Sequence, residues 1–195
     1  DEERYRAHRL GKNYDARVEK YSHIPEFELY NDIKNFYRSF QTVETDERLE
    51  QLEEVTLRFD QQIQQDIAMD VMGSVNMGLS QQGSDIDFVL YVRCIEGCDK
   101  EFNQCERYQG AKRAIQDIIG GEYDFQIMDC INLNVVEQAI REKNYESDIL
   151  QRFVAYRAIC RPINYRALAP VEDMLNRDME FRRESEGSIR SYLQI

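Results

Sequence analysis

Residues 73–87 read GSVNMGLSQQGSDID, with FVLYV following at 88–92. Ahead of them, Ile67 to Met72 is short and apolar and reads as a strand ending at Gly73-Ser74. Residues 84–92 form a second strand candidate, rich in β-formers. Successive strand side chains alternate between faces. Asp85 and Asp87 therefore share one face, while Ile86, Phe88 and Leu90 point the other way, into a core. Two carboxylates side by side repel each other unless a cation sits between them. Oxygen ligands at this spacing suit Mg²⁺ or Mn²⁺, which also accept triphosphate oxygens. Gly73 lets backbone approach a phosphate where a short helix is expected to open, and helix N-terminal N–H groups favour anions. The Ser74 hydroxyl adds one hydrogen bond.

Working outward, Pro25 suits the first turn of a helix, and Phe27, Tyr30, Ile33, Phe36, Tyr37 and Phe40 follow at helical spacing as core packing. A second helix is expected near Thr45 or Asp46, with Leu49, Leu52, Val55, Phe59 and Ile63 on one side. Residues 99–119 read as a helix stopped by Gly120-Gly121, and residues 122–129 as a third strand. From about Asn132 the chain looks helical, interrupted at Pro162 and Pro170. The order of elements predicts an α+β fold: a small mixed β-sheet flanked by N- and C-terminal helices. Three stretches are expected: a helical segment 1–65, a core 66–130 that carries the chemistry, and a helical segment 131–195.

The formal net charge is -12, and 32% of residues are charged. That acidity repels phosphate backbones at long range and speaks against nucleic-acid binding by the whole surface, though 25 Lys and Arg remain to build a local basic cleft. No apolar run reaches the length of a membrane span, and no signal-peptide pattern opens the chain. Five Cys at irregular spacings make a poor disulfide framework and read as reduced thiols, hence a cytoplasmic or other reducing intracellular compartment.

The pattern Met72-Gly73-Ser74, then Ser84-Asp85-Ile86-Asp87, then Phe88-Val89-Leu90 resembles the hallmark of nucleotidyltransferases of the DNA polymerase β superfamily. The intervening Gly78-Leu79 is similar to that of terminal uridylyltransferases and non-standard poly(A) polymerases; minimal nucleotidyltransferases share the Gly-Ser and Asp-x-Asp. The resemblance covers roughly residues 66–130. It implies a third carboxylate on a later strand, for which Asp124 is favoured and Asp129 is the rival. It further implies that Asp85, Asp87 and Asp124 hold Mg²⁺ or Mn²⁺, that Gly73, Ser74 and Ser84 meet the nucleotide, and that a nucleoside monophosphate passes from a triphosphate to a hydroxyl. The Gly-Leu insert favours an RNA 3′ end as acceptor, with a protein or small-molecule hydroxyl as runner-up. A catalytically silent nucleotide- or partner-binding module is the alternative, and the helical flanks offer a surface for a second copy or a partner.

The remaining polar candidates read as ordinary. His8 and His23 sit near no nucleophile pattern and are expected at the surface. Cys94, Cys98 and Cys105 lack a fourth zinc ligand nearby. Lys112-Arg113 lie on the helix between the second and third strands, where they either reach phosphate or form an ordinary solvated helix face. Arg152, Arg157, Arg161 and Arg182-Arg183 are the candidates for a basic wall over the site.

Overall fold

The structure is a computed structural model and describes residues 25–59, 67–94, 104–164 and 166–193. Helix α1 (Pro25–Arg38) and α2 (Val43–Arg58) precede strand β1 (Ile67–Val71), the short α3 (Gly73–Met77) and β2 (Ile86–Val92). Then come α4 (Glu106–Ile119), β3 (Phe125–Asn132), α5 (Leu133–Arg141), α6 (Asp148–Ile159), β4 (Arg161–Pro162), α7 (Ala169–Arg177) and α8 (Met179–Leu193). The sheet order is β3-β2-β1-β4, with β1 antiparallel to β2 and β4, and β2 parallel to β3. The fold is α+β, helices around a small mixed sheet. No described helix is long and apolar enough to cross a membrane.

Period-two alternation divides the sheet into two apolar faces. One carries Ile86, Phe88 and Leu90, each fully buried, against Leu52, Val55 and Phe59 of α2 and Ala111, Ile115 and Ile119 of α4. The other carries Ala68, Val89, Tyr91 and Ile131 against α5, α6, α7 and α8. Burying a side chain of this size contributes about 1.5–3 kcal/mol. Two sandwiched faces are why β2, an inner strand, is apolar from Phe88 onward.

Local chemistry sets the helix ends. Thr42 caps α2 by accepting the Thr45 N–H, and Glu44 and Asp46 sit in its first turn, where the helix dipole favours negative charge. The helix thus starts at Val43, two to three residues before the expected Thr45 or Asp46. Gly78, at φ 76°, ends α3 in the left-handed conformation that glycine adopts without Cβ strain.

Three expectations shift. β3 starts three residues later than the alternation predicts, at Phe125, because its parallel pairing begins where β2 begins, Ile86 opposite Phe125. Asp124 therefore precedes the strand, and Asp129 lies inside it rather than at its end. The aromatic stripe of α1 is the second correction: Phe27 is buried, but Ile33, Phe36 and Phe40 are exposed. The helix buries Asn31 and Lys34 instead, which donate to the carbonyls of Ala158 (3.1 Å) and Ile159 (2.9 Å) at the end of α6. A cation there meets the negative end of the helix dipole. Third, the interruption at Pro162 is a short edge strand, as a residue lacking an N–H allows. Ile63 and residues 99–103 of the expected α4 helix lie outside the described residues, as do His8 and His23.

Candidate active site

The strand register gathers acidic residues on one sheet face. Asp87 stands opposite Gln126 on β3, and Val89 stands between Asp70 on β1 and Asp129 on β3. One step upstream, the Ile86 N–H donates to the Asp124 carbonyl at 2.9 Å, so the chain at Asp124 runs beside Asp85. Asp70, Asp85, Asp87, Asp124 and Asp129 thus occupy one face of three neighbouring strands and their lead-ins.

Two of the five are neutralised within the fold. Asp70 is fully buried, paired with Arg157, and accepts the Tyr91 hydroxyl at 2.6 Å. Both oxygens of Asp129 accept from the Arg152 Nη1, at 2.8 and 2.7 Å; one also accepts the Cys130 N–H and the other the Tyr156 hydroxyl, each at 2.8 Å. The rival third carboxylate is therefore saturated. Asp85, Asp87 and Asp124 differ: among the described residues no Lys, Arg or hydroxyl engages their carboxylates. Burial first, and then the charge of Asp85, hold the Asp87 carboxyl above its ordinary range. A like-charged pair with no internal counter-ion is a site where a divalent cation relieves repulsion.

The turn beside the pair is built for close approach. Gly73 has φ 57°, and a Cβ placed on it would lie 2.7 Å from Asp87 Oδ2. The Met72 N–H donates to the Asp87 carbonyl at 2.8 Å, which fastens the turn to β2. Asn76, 1% exposed, anchors α3 through Arg38, whose Nε and Nη2 reach it at 2.8 Å, and by donating to the Ile159 carbonyl at 2.8 Å. Ser74 shares a hydroxyl contact of 3.0 Å with the buried Ser80. The Ser84 hydroxyl accepts the Gln81 N–H at 2.9 Å and holds the turn ahead of Asp85.

One residue that sequence reasoning missed organises this turn. Arg48, 1% exposed, donates to the carbonyls of Ser84 (2.8 Å), Gln81 (2.9 Å) and Glu44 (2.9 Å), and its guanidinium lies 4.6 Å from the centre of the Tyr123 ring. One buried cation thus ties the approach to Asp85 to the residue before Asp124. Capture of the Ser84 carbonyl also explains why β2 begins at Ile86 rather than at residue 84. Its only signal in the sequence is its place among the apolar positions of α2.

The donor set fits Mg²⁺ or Mn²⁺: carboxylate oxygens, no competing thiol or imidazole at the pair, and a glycine where a side chain would collide with Asp87. Among the described residues no three His, Cys, Asp or Glu side chains form a ready-made coordinating cluster. The fold brings Asp85 and Asp87 together, and sets Asp124 one strand over, exposed, at the same edge. The expected basic wall is not assembled from the predicted arginines. Arg157 is spent on Asp70 and Glu172, Arg152 on Asp129 and Asp148, and Arg182 is buried beside Glu186. Arg161 donates to Gln41 at 2.8 Å, and Lys112-Arg113 face solvent.

Comparison with family models, with curated proteins and with solved structures gives no match to this chain.

Gly73→Ala tests the turn. A left-handed L-residue costs about 1–2 kcal/mol, and the new Cβ must displace Asp87. Thermal denaturation should show a loss of that size, and Mn²⁺ titration a weaker ion affinity. Unchanged affinity and melting temperature would mean the glycine is incidental.

Proposed function

We propose that this chain is a metal-dependent nucleotidyltransferase, moving a nucleoside monophosphate from a triphosphate to an acceptor hydroxyl, with an RNA 3′ end favoured. The observation that carries the reading is the Asp85–Asp87 pair: two carboxylates on one strand face, without a cationic partner among the described residues, against a left-handed glycine that opens a helix. A structural ion-pair site would resemble Asp70 or Asp129, which are saturated; this pair is not.

The chain's own residues have defined tasks in this reading. The first N–H groups of α3 lack intrahelical partners and would receive the β- and γ-phosphates at Gly73 and Ser74. Asp85 and Asp87 would hold a divalent cation, and Asp124 would complete the set from the neighbouring lead-in. That ion supplies charge neutralisation on the triphosphate and acidifies the acceptor hydroxyl. Asp124, which is exposed, would take the hydroxyl proton. Ser84 and Arg48 keep the loop ahead of Asp85 in place. The acceptor oxygen displaces pyrophosphate from the α-phosphorus in line.

The Gly78-Leu79 insert supports RNA and the net charge of -12 counts against it, so a protein or small-molecule hydroxyl stays the runner-up and the acceptor is part of the test. The lack of a ready three-carboxylate cluster favours, as second reading, a silent module that binds nucleotide or a partner. The experiment supplies each labelled nucleoside triphosphate with Mg²⁺ or Mn²⁺, with and without RNA. Pyrophosphate release that disappears in Asp85→Ala is expected. Nucleotide bound but never turned over, under every condition, would replace the enzyme with the binding module.

A further inference from the structure

Cys94 and Cys105 lie eleven residues apart in the sequence, on either side of the segment that leads from β2 to α4. The fold brings them together. Cys94 follows the end of β2, and its backbone is held at both ends: its N–H donates to Asn132 Oδ1 at 3.3 Å, and its carbonyl accepts from the Asn134 amide. Cys105 is the residue that opens α4, a helix anchored to the sheet by Ala111, Ile115 and Ile119. Two rigid elements thus present two sulfurs to each other at 2.9 Å. Both thiols are reduced and buried.

We propose that Cys94 and Cys105 form a peroxide-oxidisable dithiol, a site of reversible disulfide formation separate from the carboxylate site. Closing to a disulfide of about 2.05 Å needs an approach of less than about 1 Å from the observed 2.9 Å. Burial pushes the Cys105 thiol up, but the Cys94 hydrogen bond, the N–H groups of Tyr108 and Arg107 and the Arg107 charge outweigh it and leave the thiol below its ordinary range. Cys105 also sits at the N-terminal end of α4, where the helix dipole favours a thiolate, and is assigned as the attacking sulfur. The neighbouring Cys130 and the distant Cys160 are pushed strongly up by burial, which keeps them protonated and inert. Both residues are buried, at 8% and 5% exposure, which restricts the reaction to a small oxidant.

The chemistry balances. The Cys105 thiolate attacks one peroxide oxygen, the O–O bond breaks, and a sulfenic acid and hydroxide form. The Cys94 sulfur then attacks the Cys105 sulfur, loses its proton and expels the sulfenic oxygen as water. Two thiols give up two electrons, and hydrogen peroxide becomes two waters.

The test uses the full chain. Hydrogen peroxide is added at neutral pH, excess is removed, and the protein is denatured, alkylated and mapped without reduction. Two of the five thiols should be lost, a single linked peptide should join Cys94 to Cys105, and dithiothreitol should restore both. In Cys94→Ser the oxidation should stop at the sulfenic acid, so that dimedone labelling of Cys105 rises at least tenfold over wild type. Five alkylated thiols after peroxide, or a linkage that joins either sulfur to Cys130 or Cys98, would overturn the proposal.

Discussion

Asp87→Asn should abolish nucleotidyl transfer while leaving the metal-free protein at least as stable as wild type. An ion held by Asp85 and Asp87 is asked for several kcal/mol of charge stabilisation, so its loss should lower turnover about a thousandfold or more. The stability half follows from proton linkage. Burial and then Asp85 raise the Asp87 carboxyl in the folded chain above the value of 3.8 it has when unfolded. The folded state therefore holds that proton to higher pH, so the favourable contribution is complete below about pH 3.8 and is lost as pH climbs through the raised value. At neutral pH the wild type carries an unfavourable charge that asparagine lacks. Divalent cation reverses the order: at a hundredfold excess over its dissociation constant, a bound ion stabilises wild type by about 2.7 kcal/mol and the variant hardly at all. Thermal scans with and without Mg²⁺ read both halves. A variant that unfolds early in the absence of metal would make Asp87 a structural residue.

Arg157→Met should be the most destabilising change in the described core. Arg157 is 3% exposed and bonds two buried carboxylates on different elements, Asp70 of β1 and Glu172 of α7, the latter at 2.7 Å. Removing one partner of a buried pair leaves an uncompensated charge and costs about 3–5 kcal/mol. Here two carboxylates are left at once, so the upper end applies, a fall of about 10–20 °C in melting temperature for a chain of this size. Arg58→Met is the control. Its pair with Asp117, at 3.6 Å and largely exposed, should contribute less than about 1 kcal/mol. Denaturant midpoints for the two variants that agree with each other would refute the distinction.

The parts legible in sequence were those set by nearest neighbours. Alternation from Asp85 to Leu90 gave the sheet faces because strand period is local, and Gly73 marked its turn because a positive φ selects glycine at that point. Strand limits were less legible, since β3 takes its start from β2 rather than from its own alternation. The stripe on α1 misled for a related reason: Lys34 is buried to cap α6, a partner 125 residues away, while Phe36 stays in solvent. Arg48, Asp70 and Arg157 look like surface residues by type, and only long-range partners reveal them as buried. The same holds for Arg152 and Arg157 of the expected arginine wall, which satisfy the fold's own carboxylates. That wall's dismantling sharpens the site: Asp129 and Asp70 are answered from within, and the Asp85–Asp87 pair has no cationic partner among the described residues.

The most direct measurement is equilibrium Mn²⁺ binding, followed by the electron paramagnetic resonance signal of the free ion, with a non-hydrolysable triphosphate analogue present. Wild type should bind the ion, and Asp85→Ala and Asp87→Asn should lose that binding while keeping the wild-type circular dichroism spectrum. Equal Mn²⁺ uptake by wild type and both variants would contradict the account, because the ion would then sit somewhere other than on these two carboxylates.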